Sequence, residues 1–129
     1  SPSDKKETDM TATSLMDSTL AVPAVLVAQQ LAATETTQYT AASAHWVKIA
    51  SARLTNTSAS PVTVSVSVVK TGGSAGSSNR VLSSYALAAG DGISLDELKD
   101  TFLGPGDFVS AIASAATAVA FVMSGVVFS

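Results

Sequence analysis

The sequence predicts an all-β protein: an antiparallel β-sandwich, jelly-roll or immunoglobulin-like, of about seven or eight strands behind an extended N-terminal arm. Three observations predict it. Val62, Val64, Val66 and Val68 alternate with Thr63, Ser65 and Ser67, which is the two-residue period of a strand and would scatter around a helix. Clusters of Gly, Pro, Asn, Asp and Ser interrupt the chain repeatedly, as the connections of an antiparallel sandwich require. Only residues 24–33 and 96–103 leave room for a helix.

Residues 1–23 read as the arm and residues 24–129 as the sandwich. The arm is polar and mixed in charge, with Asp4, Lys5, Lys6, Glu7, Asp9 and Asp17, so little of it can be buried. Leu15, Met16, Leu20 and Val22, among its apolar side chains, are the candidates for gripping a partner. Ser1 suits a chain that has lost an initiator methionine, Met10 is an alternative start, and the opening residues do not read as an apolar leader.

From Pro23 onward the elements follow in order. Ala24–Leu31 suits a strand or a short helix, and Thr36–Thr40 a short strand. Ala41–Ala44 reads as a turn before a long strand through Trp46, Val47, Ile49 and Leu54. Residues 56–61, Asn-Thr-Ser-Ala-Ser-Pro, reverse the chain into the valine strand. Residues 71–79 form a Gly/Ser loop. Arg80–Leu87 and Ile93–Leu95 are strands flanking a turn at 89–92. Asp96–Phe102 suits one helical turn, with Asp96 as its N-cap and Leu98, Phe102 and Leu103 facing inward. Gly104-Pro105-Gly106-Asp107 is a turn, and Phe108–Ser114 and Ala118–Phe128 close the fold. In the last strand both faces are apolar: Val119, Phe121, Met123 and Val127 on one, Ala120, Val122, Val126 and Phe128 on the other. A strand with one wet face does not look like that: either it is central between two layers, or one face meets another subunit. The low charge elsewhere favours the second, which makes Val122, Val126 and Phe128 the candidate oligomer interface.

Composition points the same way. Charged residues are 13% of the chain, against roughly 25% in ordinary soluble domains. Ions this sparse cover a sphere poorly, which argues for a surface hidden in an assembly. The net charge is −3, and the cations are scattered, without the basic stripe that a nucleic-acid backbone demands. There are no cysteines, hence no disulfides and no thiolate metal sites. Residues 108–129 carry no formal charge and are long enough to span a bilayer. Their serines, threonine and glycine, and the absence of flanking cations or an aromatic belt, argue against a span.

Candidate chemistry is sparse. His45 is the lone histidine, so a zinc site of the usual kinds is excluded, barring one shared between subunits. A Ser-His-Asp triad is formally open, but no G-x-S-x-G elbow occurs. Asp91, Asp96, Glu97, Asp100 and Asp107 lack the alternating spacing of a calcium loop and read as turn formers and caps. Gly72-Gly73-Ser74-Ala75-Gly76 joins two strands and lacks the Lys of a phosphate loop. Trp46, Tyr39 and Tyr85 are too few for a stacking platform and suit packing. The expectation is a protein that is not an enzyme, with no cofactor and no metal.

Three segments carry a resemblance: Thr37-Gln38-Tyr39-Thr40 leading through Val47-Lys48-Ile49 to Leu54-Thr55-Asn56-Thr57-Ser58 and Pro61-Val62-Thr63-Val64; Leu103-Gly104-Pro105-Gly106-Asp107-Phe108-Val109; and Ser124-Gly125-Val126. Over about residues 36–129 the chain resembles small structural proteins of tailed bacteriophages, whose turns define a β-sandwich domain. Asp96–Phe102 departs from that pattern as an insertion. The resemblance implies a virion component that forms homotrimers and is made in the bacterial host cytoplasm. It implies a head decoration protein, a head fibre, or a minor tail or neck protein, and does not fix the place on the virion. The reading adopted is a decoration protein that binds the major capsid protein and stabilises the shell; a minor tail, neck or receptor-binding tip protein is the alternative, and a membrane-associated phage protein using residues 108–129 a second. No nucleic-acid partner is expected.

Overall fold

The structure, a computed structural model, describes residues 20–129. These form nine strands: β1 (Ala21–Gln30), β2 (Thr36–Thr40), β3 (Trp46–Asn56), β4 (Val62–Val69), β5 (Arg80–Leu87), β6 (Gly92–Ser94), β7 (Phe102–Leu103), β8 (Phe108–Ala113) and β9 (Val119–Phe128). One sheet runs β1-β9-β3-β6, with β7 also on β3; the other runs β2-β8-β4-β5. All pairings are antiparallel. β1 pairs β9, β2 pairs β8, β3 pairs β6 and β4 pairs β5, so the chain is one long nested hairpin rolled into two layers. That is the jelly-roll arrangement, and it decides between the two sandwich types that the sequence allowed.

The alternation of β4 holds through Val62, Val64 and Val66, all buried, and Val68, packed against the core, with unbroken register to β8. The β4–β5 register shifts between Val66 and Ser67. Val68 is half-buried, and Val69 is buried against the loop that follows, where Gly73 approaches its side chain. Segment 24–31 belongs to strand β1 rather than a helix, and β1 starts at Ala21. Ala21, Val22 and Pro23 are therefore paired with β9 and not part of the arm.

Asp96–Asp100 forms successive three-residue turns, with Leu98 N–H donating to Leu95 O and Lys99 N–H to Asp96 O, and no helix. Leu98 and Leu103 are inside as expected, but Phe102 points outward and is 47% exposed. The reason is register: Leu103 pairs with buried Val47 and Phe102 with Lys48, and neighbours along a strand face opposite sides. Strands β6 and β7 are two ends of one interrupted strand on the edge of β3. Ser94 pairs with Arg53 and Phe102 with Lys48, eight residues spanning what β3 covers in five. The excess forms the turn that brings Leu95 and Leu98, both fully buried, over the open side of the core.

The core lies between the layers and is built from Leu31, Ile49, Leu54, Leu87, Phe121 and Met123 with the valines of β4 and β8. Residues 108–129, the uncharged segment long enough for a span, divide into β8 in one sheet and β9 in the other. No helix among the described residues is long and apolar enough to cross a membrane.

Candidate interaction surface

The two sheets present unlike outer faces, and the difference follows from which side chains alternate outward. On the β2-β8-β4-β5 sheet the outward row of β4 is hydroxylic at Thr63, Ser65 and Ser67, and on β8 Ser110 stands between Phe108 and Ile112. Ser67 and Ser110 pair across the strands and are both buried beneath an ion pair. Arg80 donates to both Glu35 carboxylate oxygens (3.1 and 2.7 Å) and to Ser67 Oγ (2.9 Å), and Ser110 Oγ donates to Glu35 Oε2 (2.6 Å). Beside it, Ser65 Oγ accepts from Ser84 N–H at 2.8 Å, where Ser84 takes a positive φ of 47° at a bulge in β5. A shallow cavity of about 210 Å³ lies there, lined by Thr63, Ser65, Ser84, Ile112 and Ser114 among others. These polar groups keep the face compatible with water.

The Arg80 guanidinium holds the Glu35 carboxyl below its ordinary 4.5; partial burial pushes the other way, and the Ser110 hydroxyl adds to the lowering. A carboxylate with a depressed folded value contributes stability above the unfolded value and loses it as pH falls through the folded one. The melting temperature of the native chain should therefore fall below pH 4.5 more steeply than that of Glu35→Gln. Parallel thermal scans from pH 7 to 3 check this, and superimposable curves would show that the pair contributes nothing.

The outer face of the β1-β9-β3-β6 sheet is different. Register places Pro23, Val25 and Ala28 of β1 beside Val126, Ser124 and Val122 of β9, and these beside Lys48, Ser51 and Arg53 of β3. Phe128 joins them next to Trp46, and Phe102 beside Lys48. Val25 is 66% and Val122 45% exposed, while Val126 and Phe128 are half-covered by their neighbours. Neither β1 nor β9 carries a charged side chain. The charges stand on the other half of the face and are locally engaged. Lys48 lies 3.5 Å from Asp100 and 5.9 Å from the Phe102 ring centre, and Arg53 donates to Ser94 Oγ at 3.2 Å. The Trp46 ring lies on Gly104, with its indole N–H buried and lacking an acceptor.

The free edge of β1 is guarded where the face is not. Leu20 and Ser129 exchange both backbone hydrogen bonds, so by alternation Val22 and Ala24 turn their peptide groups to β9, and Ala21, Pro23 and Val25 turn theirs to the edge. Proline removes one donor from that row, and the bulge at Leu26 breaks its spacing. Both devices discourage an added strand, so a partner is offered the face of the sheet and not its rim.

The residues expected to matter divide accordingly. Val122, Val126 and Phe128 are brought together on this face, with Trp46 among them. Leu20 and Val22 are not: Val22 pairs with Val127, on the opposite side of β1 from Pro23 and Val25. Leu15 and Met16 lie outside the described residues. Val25, Ala28 and Phe102 were missed. The available signal for the first two was the absence of charge from residue 18 to residue 34, a run matching that of the last strand.

The other candidates stay apart. His45 Nδ1 lies 2.7 Å from Ser43 O, and no group of three or more His, Asp or Glu side chains able to hold a metal occurs among the described residues. Asp107 is a turn former: Oδ2 accepts from Gly104 N–H and Oδ1 from Thr71 N–H, both at 2.9 Å. Tyr39 and Tyr85 belong to the other sheet from Trp46, so the three form no common shelf; burial pushes the Tyr39 phenol up.

A scan of protein-family models, a search of curated proteins and a search of solved structures each find no match to this chain.

Proposed function

We propose that this chain is a structural protein of a tailed bacteriophage virion, a decoration module that binds copies of itself and the major capsid protein and stabilises the shell. The observation that carries the reading is the outer face of β1 and β9, apolar, free of charge and open to solvent in the single chain. Exposed apolar patches of this kind mark interaction sites. The jelly-roll order adds support by analogy, since viral capsid domains use it often. A module repeated over a lattice gains strength from many modest contacts and needs no single tight one.

The test is direct. Particles produced by the genome that encodes the chain are purified and labelled with an antibody against it in electron microscopy, and their protein content is measured. The expected result is many copies per head and loss of heat resistance in heads lacking the chain. Its absence from purified particles overturns the reading.

A further inference from the structure

The outer face of the β1-β9-β3-β6 sheet divides into two unlike halves. β1 and β9 are neutral, and β3 with the β6–β7 segment holds every charge on it. From these halves we infer that the face is occupied by a second copy of this chain, packed sheet against sheet about a two-fold axis that runs along the strands between β9 and β3. The inference deepens the self-association reading, rests on it, and puts a two-fold pair in place of the homotrimer that the resemblance implies.

Area and charge both select this arrangement. With strands about 4.8 Å apart and a rise near 3.3 Å per residue, three strands of ten or eleven residues flanked by the short β6 and β7 make a face of roughly 570 Å². A standard interface takes about 800 Å² from each partner. The neutral β1–β9 half alone offers roughly 300 Å² and falls well short. The whole face comes near, so both halves must take part.

A two-fold along the strands lays β3 of one copy over β9 of the other at the same level. Lys48 then covers Val126 of the second copy, Arg53 covers Val122, and Phe102 covers Pro23, by the register shared across the sheet. Each cation thus lies over a neutral β9 side chain, one strand spacing of about 4.8 Å aside from its own symmetry copy. The alternative two-fold, across the strands at the level of Ser124, places Lys48 over Arg53 of the second copy, and like charges there are repulsive. The inferred axis also keeps the strand directions of the two copies within the angle that packed sheets adopt.

The experiment exploits a chain without cysteine. Ala28 and Ser94 lie at the same level on opposite edges of the face. The two-fold along the strands brings Ala28 of one copy over Ser94 of the next. Ala28→Cys and Ser94→Cys are made as separate proteins and treated with a short thiol-specific cross-linker. An equal mixture should give covalent dimers, and neither variant alone should.

Sedimentation at tens of micromolar should give twice the 12.9 kDa chain mass, and Val122→Lys, which sets a cation opposite Arg53, should give the single mass with an unchanged melting curve. A monomeric or trimeric native chain, a dimer indifferent to Val122→Lys, or cross-linking in the single variants and not in the mixture overturns the inference. Detection of the chain on particles together with any of these results leaves the virion reading standing and removes the pairing.

Discussion

Gly125→Ala should abolish folding or cost more than about 4 kcal/mol, at the extreme of what single substitutions do. Gly125 sits midway along β9, between two bulges on its neighbours, Leu26 in β1 and Ala50 in β3. A β-carbon there would overlap the Lys48 carbonyl oxygen and stand 3.1 Å from Ile49 Cα. Both are backbone atoms of a central strand, so no rotamer change relieves the overlap; the pairing itself must open. Space, not an unusual φ, is what glycine supplies at this position. Ser124→Ala is the control. It loses one exposed hydrogen bond, Ser51 Oγ to Ser124 Oγ at 2.8 Å, worth about 1 kcal/mol or less. Urea denaturation of the two variants should separate them by several kcal/mol, and a Gly125→Ala protein melting within a few degrees of the native chain would refute the packing described for β9.

Asn56→Ala should cost about 3 kcal/mol, from several lost hydrogen bonds and the carbonyls left unpaired. Asn56 is fully buried at the end of β3. Its Nδ2 donates to Ser60 O at 2.8 Å and Leu87 O at 3.0 Å, and its Oδ1 accepts from Ser58 N–H at 2.9 Å and Ser58 Oγ at 2.7 Å. One side chain thus ties the end of β3, the 57–61 turn and the end of β5. Asn56→Asp should be as damaging, because a carboxylate cannot donate to the Ser60 and Leu87 carbonyls and turns a negative charge on them. A fall in melting temperature on the order of 10 °C for each, read by circular dichroism, is the expected outcome; a fall of a degree or two would mean that the turn is held by its backbone alone.

These two positions belong to the segments on which the expectation of a phage structural protein rests, as does Asp107, which accepts the backbone N–H groups of Gly104 and Thr71. All three are joints of the sandwich. An expectation resting on them concerns how the chain turns and does not locate a binding surface.

Much of the fold was legible because antiparallel strands write their burial into local sequence. The valines of β4, the apolar rows of β3 and β9 and the Gly/Pro/Asn turns are each readable within a window of about ten residues. β1 was left between strand and helix because, as an edge strand in an apolar, uncharged stretch, it has only Val27 fully buried and so lacks a clean alternation. β7 went unseen at two residues long, and Phe102 was assigned inward on a helical spacing that the turn at 96–100 does not have.

The candidate surface was half legible. Both faces of the last strand are apolar, and that flagged Val122, Val126 and Phe128. Their neighbours Val25 and Ala28 could not be flagged with them, since β1 and β9 lie about 100 residues apart in the chain and nothing local records which distant strand pairs with which.

Sequence alone determined the strand content, the reversals and the poverty of charge, because each is a property of neighbouring residues. Tertiary structure decided the nesting of the hairpin, the clearance that only Gly125 allows beside two bulges, and the joining of two uncharged segments into one face. Those depend on contacts between residues far apart in the chain, and such contacts exist only once the layers have closed.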